Sequence, residues 1–175
     1  IATPRLIEVL EEVLTSRRQD PLIRSVASHA LARLMAFSGD AKAAHERLRA
    51  SGWVMGWHVT GPFENAGESG HAAVYAPETE EFHREQTFEG KVPLEPIAWR
   101  HRPGSDSARG YVSLDELLSP NVHVTGFATT WVRVSSRTKA TLHVGSGGAY
   151  KLWIDGAYVG GGGEYRNPNS LQDGH

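Results

Sequence analysis

The sequence predicts an α+β multidomain chain, with an N-terminal helical segment, residues 1–52, followed by an antiparallel β-sandwich of jelly-roll type, residues 53–175. Three observations predict it. Apolar residues recur at three- and four-residue spacing through residues 4–50, which marks helices with one buried stripe. At Trp53 the spacing switches to period two, the alternation of a half-buried strand. Near the end, Asp155-Gly156 stands between two apolar runs and suits a two-residue hairpin turn, because both central residues need positive φ.

The helical segment divides into three. Thr3-Pro4 is a cap and first-turn pair, followed by the stripe Leu6, Ile7, Leu10, Val13 and Leu14, which stops near Arg17-Arg18. Asp20-Pro21 repeats the start signal. Leu22, Ile23, Val26, Ala27, Ala30, Leu31, Leu34 and Met35 then form a richer stripe that ends at Gly39. Asp40 caps a third helix with Ala41, Ala44 and Leu48, ended by Gly52. Such a group resembles part of an α-hairpin stack of the tetratricopeptide or HEAT kind. It buries little alone and is expected to dock on something.

From Trp53, the side chains of Trp53, Met55, Trp57 and Val59 share one strand face, and Val54, His58 and Thr60 the other, until Gly61-Pro62 stops the strand. Residues 64–72 read as an ordered polar loop and Ala73-Val74-Tyr75 as a short strand. Glu78, Glu80 and Glu81 read as a solvated loop. Phe82 and Phe88 anchor irregular chain, and a broken strand surrounds Ile97 and Trp99. Ser113-Leu114-Asp115-Glu116 has the capping-box pattern for one helical turn. Residues 122–135 alternate for over a dozen positions, and residues 138–144 alternate again. Tyr150 to Ile154 and Ala157 to Val159 flank the hairpin turn, with Gly160 to Gly163 as a flexible connection after it. About seven or eight short strands with glycine turns make a sandwich or jelly roll, not a βαβ fold.

Composition narrows the chemistry. The 175 residues are 39% hydrophobic, too apolar for a disordered chain. A net charge of -2 gives no basic footprint, so no nucleic-acid partner is expected. Absence of cysteine removes disulfides, thiolate nucleophiles and Cys-ligated metals. No apolar run is long enough to span a bilayer. The nine histidines include no HExxH motif, and His29 and His45 read as surface or satisfied core. No serine sits in a GxSxG elbow, and the glycines at 160–163 lack the Lys-Ser or Lys-Thr of a phosphate loop. No catalytic residue, metal or cofactor is expected. The chain reads as a piece of a longer product.

The five tryptophans are the better functional clue. A tryptophan left on a concave face can stack on the C–H face of a sugar ring, while Arg, Asn or Asp bonds its hydroxyls. The candidate ligand-binding residues are Trp57, Trp99, Trp131, Tyr158, Tyr165 and Arg166. For any one tryptophan, core packing is the commoner fate, and Trp53 is placed to glue helices to sandwich.

A family pattern runs through the second part. Trp57-His58-Val59-Thr60-Gly61-Pro62-Phe63, the Pro77-Glu78 pair, Trp99 after a strand, residues 140–146 and Leu152-Trp153-Ile154-Asp155-Gly156 followed by Val159 carry it. Together they resemble the galactose-binding-like jelly-roll modules of large bacterial multidomain proteins, some of which follow helical repeats. The similarity covers roughly residues 53–175. It departs at Asp155, where such modules commonly have Asn, and at Gly147-Gly148, where they often carry an acid. Arg166 to Asp173 matches the approach to an aliphatic closing segment, so the sandwich is expected to lack its last strands here. Members bind glycans in some cases and act as spacers in others.

The leading expectation is therefore a non-catalytic module that recognises carbohydrate or cell-envelope polymer, in a periplasmic or cell-surface setting. The alternative is a structural or protein-interaction module supporting a neighbouring enzyme domain. The expected partners are a glycan ligand and the rest of the same protein, or a second chain, completing the sandwich.

Overall fold

The computed structural model describes residues 4–16, 18–93, 95–103 and 111–163. It has an α+β architecture, with N-terminal helices and several short antiparallel sheets. Two compact units divide it: residues 1–57 with 102–112, and residues 58–101 with 113–175.

The first unit is built on three helices, α1 (Pro4–Thr15), α2 (Pro21–Phe37) and α3 (Ala41–Ala50). Two of the sequence-assigned caps are in place. The Asp20 carboxylate accepts from Leu22 N at 2.7 Å, and Asp40 accepts from Ala43 N at 3.0 Å. Each satisfies a first-turn N–H that has no partner within its helix. The Thr3 cap lies outside the described residues. Ala32, Ala44, Leu48 and Met55 form the core, with Met35, Ala36 and Trp53 packed against it. By contrast, α1 has no buried residue, and Leu6, Ile7 and Val9 stay more than 40% exposed.

Strand β1 (Trp57–Glu64) starts later than the period-two reading places it. Trp53 donates its N–H back to Leu48 O at 3.1 Å, and its indole stacks on His29 at 4.6 Å. The α3 C-terminus and the helical core therefore claim Trp53 and Met55 before any ladder begins. At its other end β1 runs through Gly61-Pro62 instead of stopping there. Its pairing with β5 (Val124–Thr129) shifts register between Thr60 and Phe63, which accommodates the missing proline N–H.

A 3-10 turn (Ala66–His71) follows β1. Residues 73–75 are not a strand: Ala73 N donates to Ser69 O at 3.0 Å, and Tyr75 caps the short α4 (Ala76–Thr79). Next come β2 (Thr87–Glu89), β3 (Pro96–Ala98), β4 (Arg100–Arg102) and α5 (Leu114–Leu117). The break between β3 and β4 falls at Trp99. Ser113 is the N-cap residue of α5 but makes no side-chain cap hydrogen bond. The strand orders are β4-β1-β5 in one sheet, β2-β3 in a second, and β6 (Tyr150–Ile154) with β7 (Ala157–Gly162) in a third.

Two further stretches differ from expectation. Of residues 122–135 only β5 is strand, and residues 131–149 lie in no ladder. Alternation makes a strand only where a neighbour supplies the hydrogen bonds. The glycines at 160–162 are the opposite case. They belong to β7, paired with Leu152, Lys151 and Tyr150, and are not a flexible connection. A Cβ on Gly161 would overlap the Tyr150 carbonyl oxygen, so close strand approach requires glycine there. The hairpin turn has φ of 50° at Asp155 and 77° at Gly156, both positive as the dipeptide predicts.

Candidate functional site

In the second unit one run of rings extends from the core to the surface. Its buried end is Phe63 and Phe88, 5.8 Å apart, with Tyr75 and Phe127 on Phe63 at 5.2 and 5.3 Å. Trp99 lies 6.0 Å from Phe88 and 5.1 Å from Phe82. At the outer end Phe82 meets Trp131 edge-on at 4.7 Å. His58, on β1, completes this end, 5.3 Å from Phe82, 5.6 Å from Trp131 and 4.7 Å from His101 on β4. Edge-to-face contacts of this kind fix ring orientation as well as burying area.

Trp131 lies two residues beyond the end of β5 and is 62% exposed. Its indole is therefore in T-shaped contact with Phe82 and His58 while much of its surface meets solvent. Burial, then the charges of His101 and Arg84, push the His58 pKa below its ordinary value. The ring is accordingly neutral near pH 7, with one nitrogen to donate and one to accept. The outer end thus combines a flat apolar surface with polar groups that suit hydroxyls. Among the described residues, no group of three or more His, Cys, Asp or Glu is placed to hold a metal ion.

Of the sequence-derived candidates, Trp99 and Trp131 are brought together, both against Phe82. Trp57 belongs to the first unit, where its indole N–H donates to Val54 O at 3.1 Å. Tyr158 sits on the hairpin with its ring 5.9 Å from Trp153. Tyr165 and Arg166 lie outside the described residues. His58, His101, Phe82 and Arg84 were not among the candidates. Alternation placed His58 opposite Trp57, but nothing local pairs β1 with β4.

In the acidic cluster Glu80 and Glu81 are exposed, as expected of a solvated loop, but Glu78 is not. Its Oε2 accepts from Lys151 Nζ at 2.9 Å, and its Oε1 accepts from Tyr75 N at 3.3 Å. Lys151 Nζ also donates to Ala73 O at 2.8 Å. Exposed Glu64 pairs with Lys91 at 3.2 Å. The N–H of Asn65 and then Lys91 hold the Glu64 carboxyl below its usual range.

The first unit has an open cleft of about 500 Å³ lined by Leu14, Ser28, Met35, Arg47 and Ser51, among others. Its polar lining is internally engaged, Ser28 with Ser51 and Arg47 with Glu11.

Comparison with protein-family models, curated proteins and solved structures gave no match. No helix among the described residues is long and apolar enough to cross a membrane.

Proposed function

We propose that the second unit is a non-catalytic carbohydrate-recognition module of galactose-binding-like, jelly-roll descent, with the Trp131 end of the aromatic run as its binding face. Trp131 is the platform for a sugar ring, while His58, His101 and Arg84 supply hydrogen bonds to hydroxyls. One observation carries the reading: Trp131 is in T-shaped contact with Phe82, 4.7 Å between ring centroids, yet is 62% exposed. An indole oriented by packed rings and largely open to solvent is preorganised for stacking, which lowers the ordering cost of binding.

A glycan array on the full chain, including cell-envelope polysaccharides, tests it. Trp131→Ala is expected to weaken the best ligand roughly ten-fold or more while leaving the melting midpoint unchanged. An array with no ligand, or a ligand indifferent to Trp131→Ala, overturns the reading.

A second reading, a protein-interaction module, is favoured by a separate observation. Val132, Val134 and Leu142 are between 48% and 67% exposed.

A further inference from the structure

Residues 131–149 lie outside every ladder, with a bend at Ser135-Ser136, yet residues 131–134 and 137–144 each alternate. Even positions hold Val132, Val134, Thr138, Ala140, Leu142 and Val144, apart from Ser136. Odd positions hold Trp131, Arg133, Arg137, Lys139, Thr141 and His143, with Ser135 between. In an extended chain these are opposite faces, one largely apolar and one basic. The apolar face is open: Val132 is 67%, Val134 59% and Leu142 48% exposed. The stretch continues from β5, an end strand of the order β4-β1-β5. An end strand leaves a row of donors and acceptors available for pairing.

Charge selects what pairs here. No Asp or Glu occurs between Glu116 and Asp155, so Arg133, Arg137 and Lys139 meet no neighbouring acid in sequence. Opposite charges across a ladder stabilise it, and like charges weaken it. A second copy adding through the same stretch would set these cations against one another. An acidic strand would neutralise them.

We propose that residues 131–144 are an acceptor for an extended acidic segment of another polypeptide, which adds as a β-strand. Its alternating apolar side chains cover Val132, Val134 and Leu142, and its carboxylates face Arg133, Arg137 and Lys139. Main-chain hydrogen bonds supply affinity, while the alternation and the charges supply register and choice of partner. The acceptor stretch begins at Trp131, the residue of the glycan reading, but the inference does not rest on that reading, since it turns on the backbone and the valine face.

The test uses the full chain and three synthetic peptides: alternating Val and Glu, alternating Val and Lys, and poly-Glu of equal length. Binding is read by titration calorimetry, and strand formation by the amide infrared band. The Val/Glu peptide is expected to bind with a gain of β signal, at least ten-fold more tightly than either control. Val134→Pro is expected to lose that binding at least ten-fold with the melting midpoint unchanged, because Val134 lies in no ladder beforehand. Joint Arg133→Glu, Arg137→Glu and Lys139→Glu replacement is expected to reverse the preference toward Val/Lys. Equal binding of poly-Glu overturns the proposal in favour of plain charge attraction. Equal binding of Val/Lys, or no binding, also overturns it. Self-association in sedimentation that Val134→Pro abolishes overturns it in favour of a second copy.

Discussion

Lys151 on β6 and Glu78 in α4 form a 2.9 Å ion pair whose side chains are only 18% and 8% exposed. The ammonium also holds Ala73 O, and the carboxylate also holds Tyr75 N, so both charges carry further hydrogen bonds. The Lys151 ammonium thereby ties the hairpin to α4 and, through Ala73, to the loop before it. Removing one partner leaves an uncompensated charge with little access to water. Glu78→Leu is expected to destabilise the second unit by about 3–5 kcal/mol, and adding Lys151→Met to regain most of that loss. Guanidinium denaturation of the single and double variants checks both expectations.

Hairpin glycines give a contrasting pair. At Gly156 a side chain meets nothing within 4 Å, but φ is 77°, so only backbone strain opposes it. Gly156→Val is expected to cost roughly 1–3 kcal/mol and Gly156→Asn much less, because Asn tolerates the left-handed region. At Gly161 the opposition is collision with Tyr150 O, so Ala and Asn are both expected to be harmful. Melting midpoints of the four variants separate strain from collision.

Acid should loosen the second unit through His58. Its pKa is lowered in the folded chain by burial, His101 and Arg84, while the unfolded value stays at the ordinary 6.5. The unfolded chain therefore takes up the proton first. The stabilisation is complete above 6.5 and is lost as pH falls through the lower folded value. Denaturant midpoints followed from about pH 7 to about pH 5 are expected to fall less steeply for His58→Gln than for the unsubstituted chain.

For the first unit, Asp20→Ala and Asp40→Ala are each expected to cost about 1 kcal/mol. The two caps serve different helices, so their effects should nearly add. Helical circular dichroism through a thermal melt checks this.

What could be read in the sequence was what neighbours along the chain decide. Asp20 and Asp40 declare their helices because a carboxylate at that position can reach only the next turn. Asp155-Gly156 declares its turn for the same local reason. Trp53 was misread because period two cannot distinguish a strand residue from one drawn back onto a helix end. Gly160 to Gly162 looked like slack chain because the need for glycine arises on the opposite strand, at Tyr150. The candidate site was half legible. Trp99 and Trp131 stood out as aromatics, whereas His58 and His101 meet only after strands distant in sequence join one sheet. The Glu78–Lys151 pair is hidden likewise, since no local pattern links the two positions.

The unburied state of α1 has a dynamic consequence. Its 12 residues make it marginal as an isolated helix in water, and none of them is fully buried. What holds it includes the bridge from Glu11 to Arg47, 2.8 Å long and partly open to solvent. Its amide protons should therefore exchange with deuterium through opening of that helix alone, while those of α2 around Leu31 and Ala32 wait for cooperative unfolding. The first unit then opens at α1 before the shared α2–α3 core gives way.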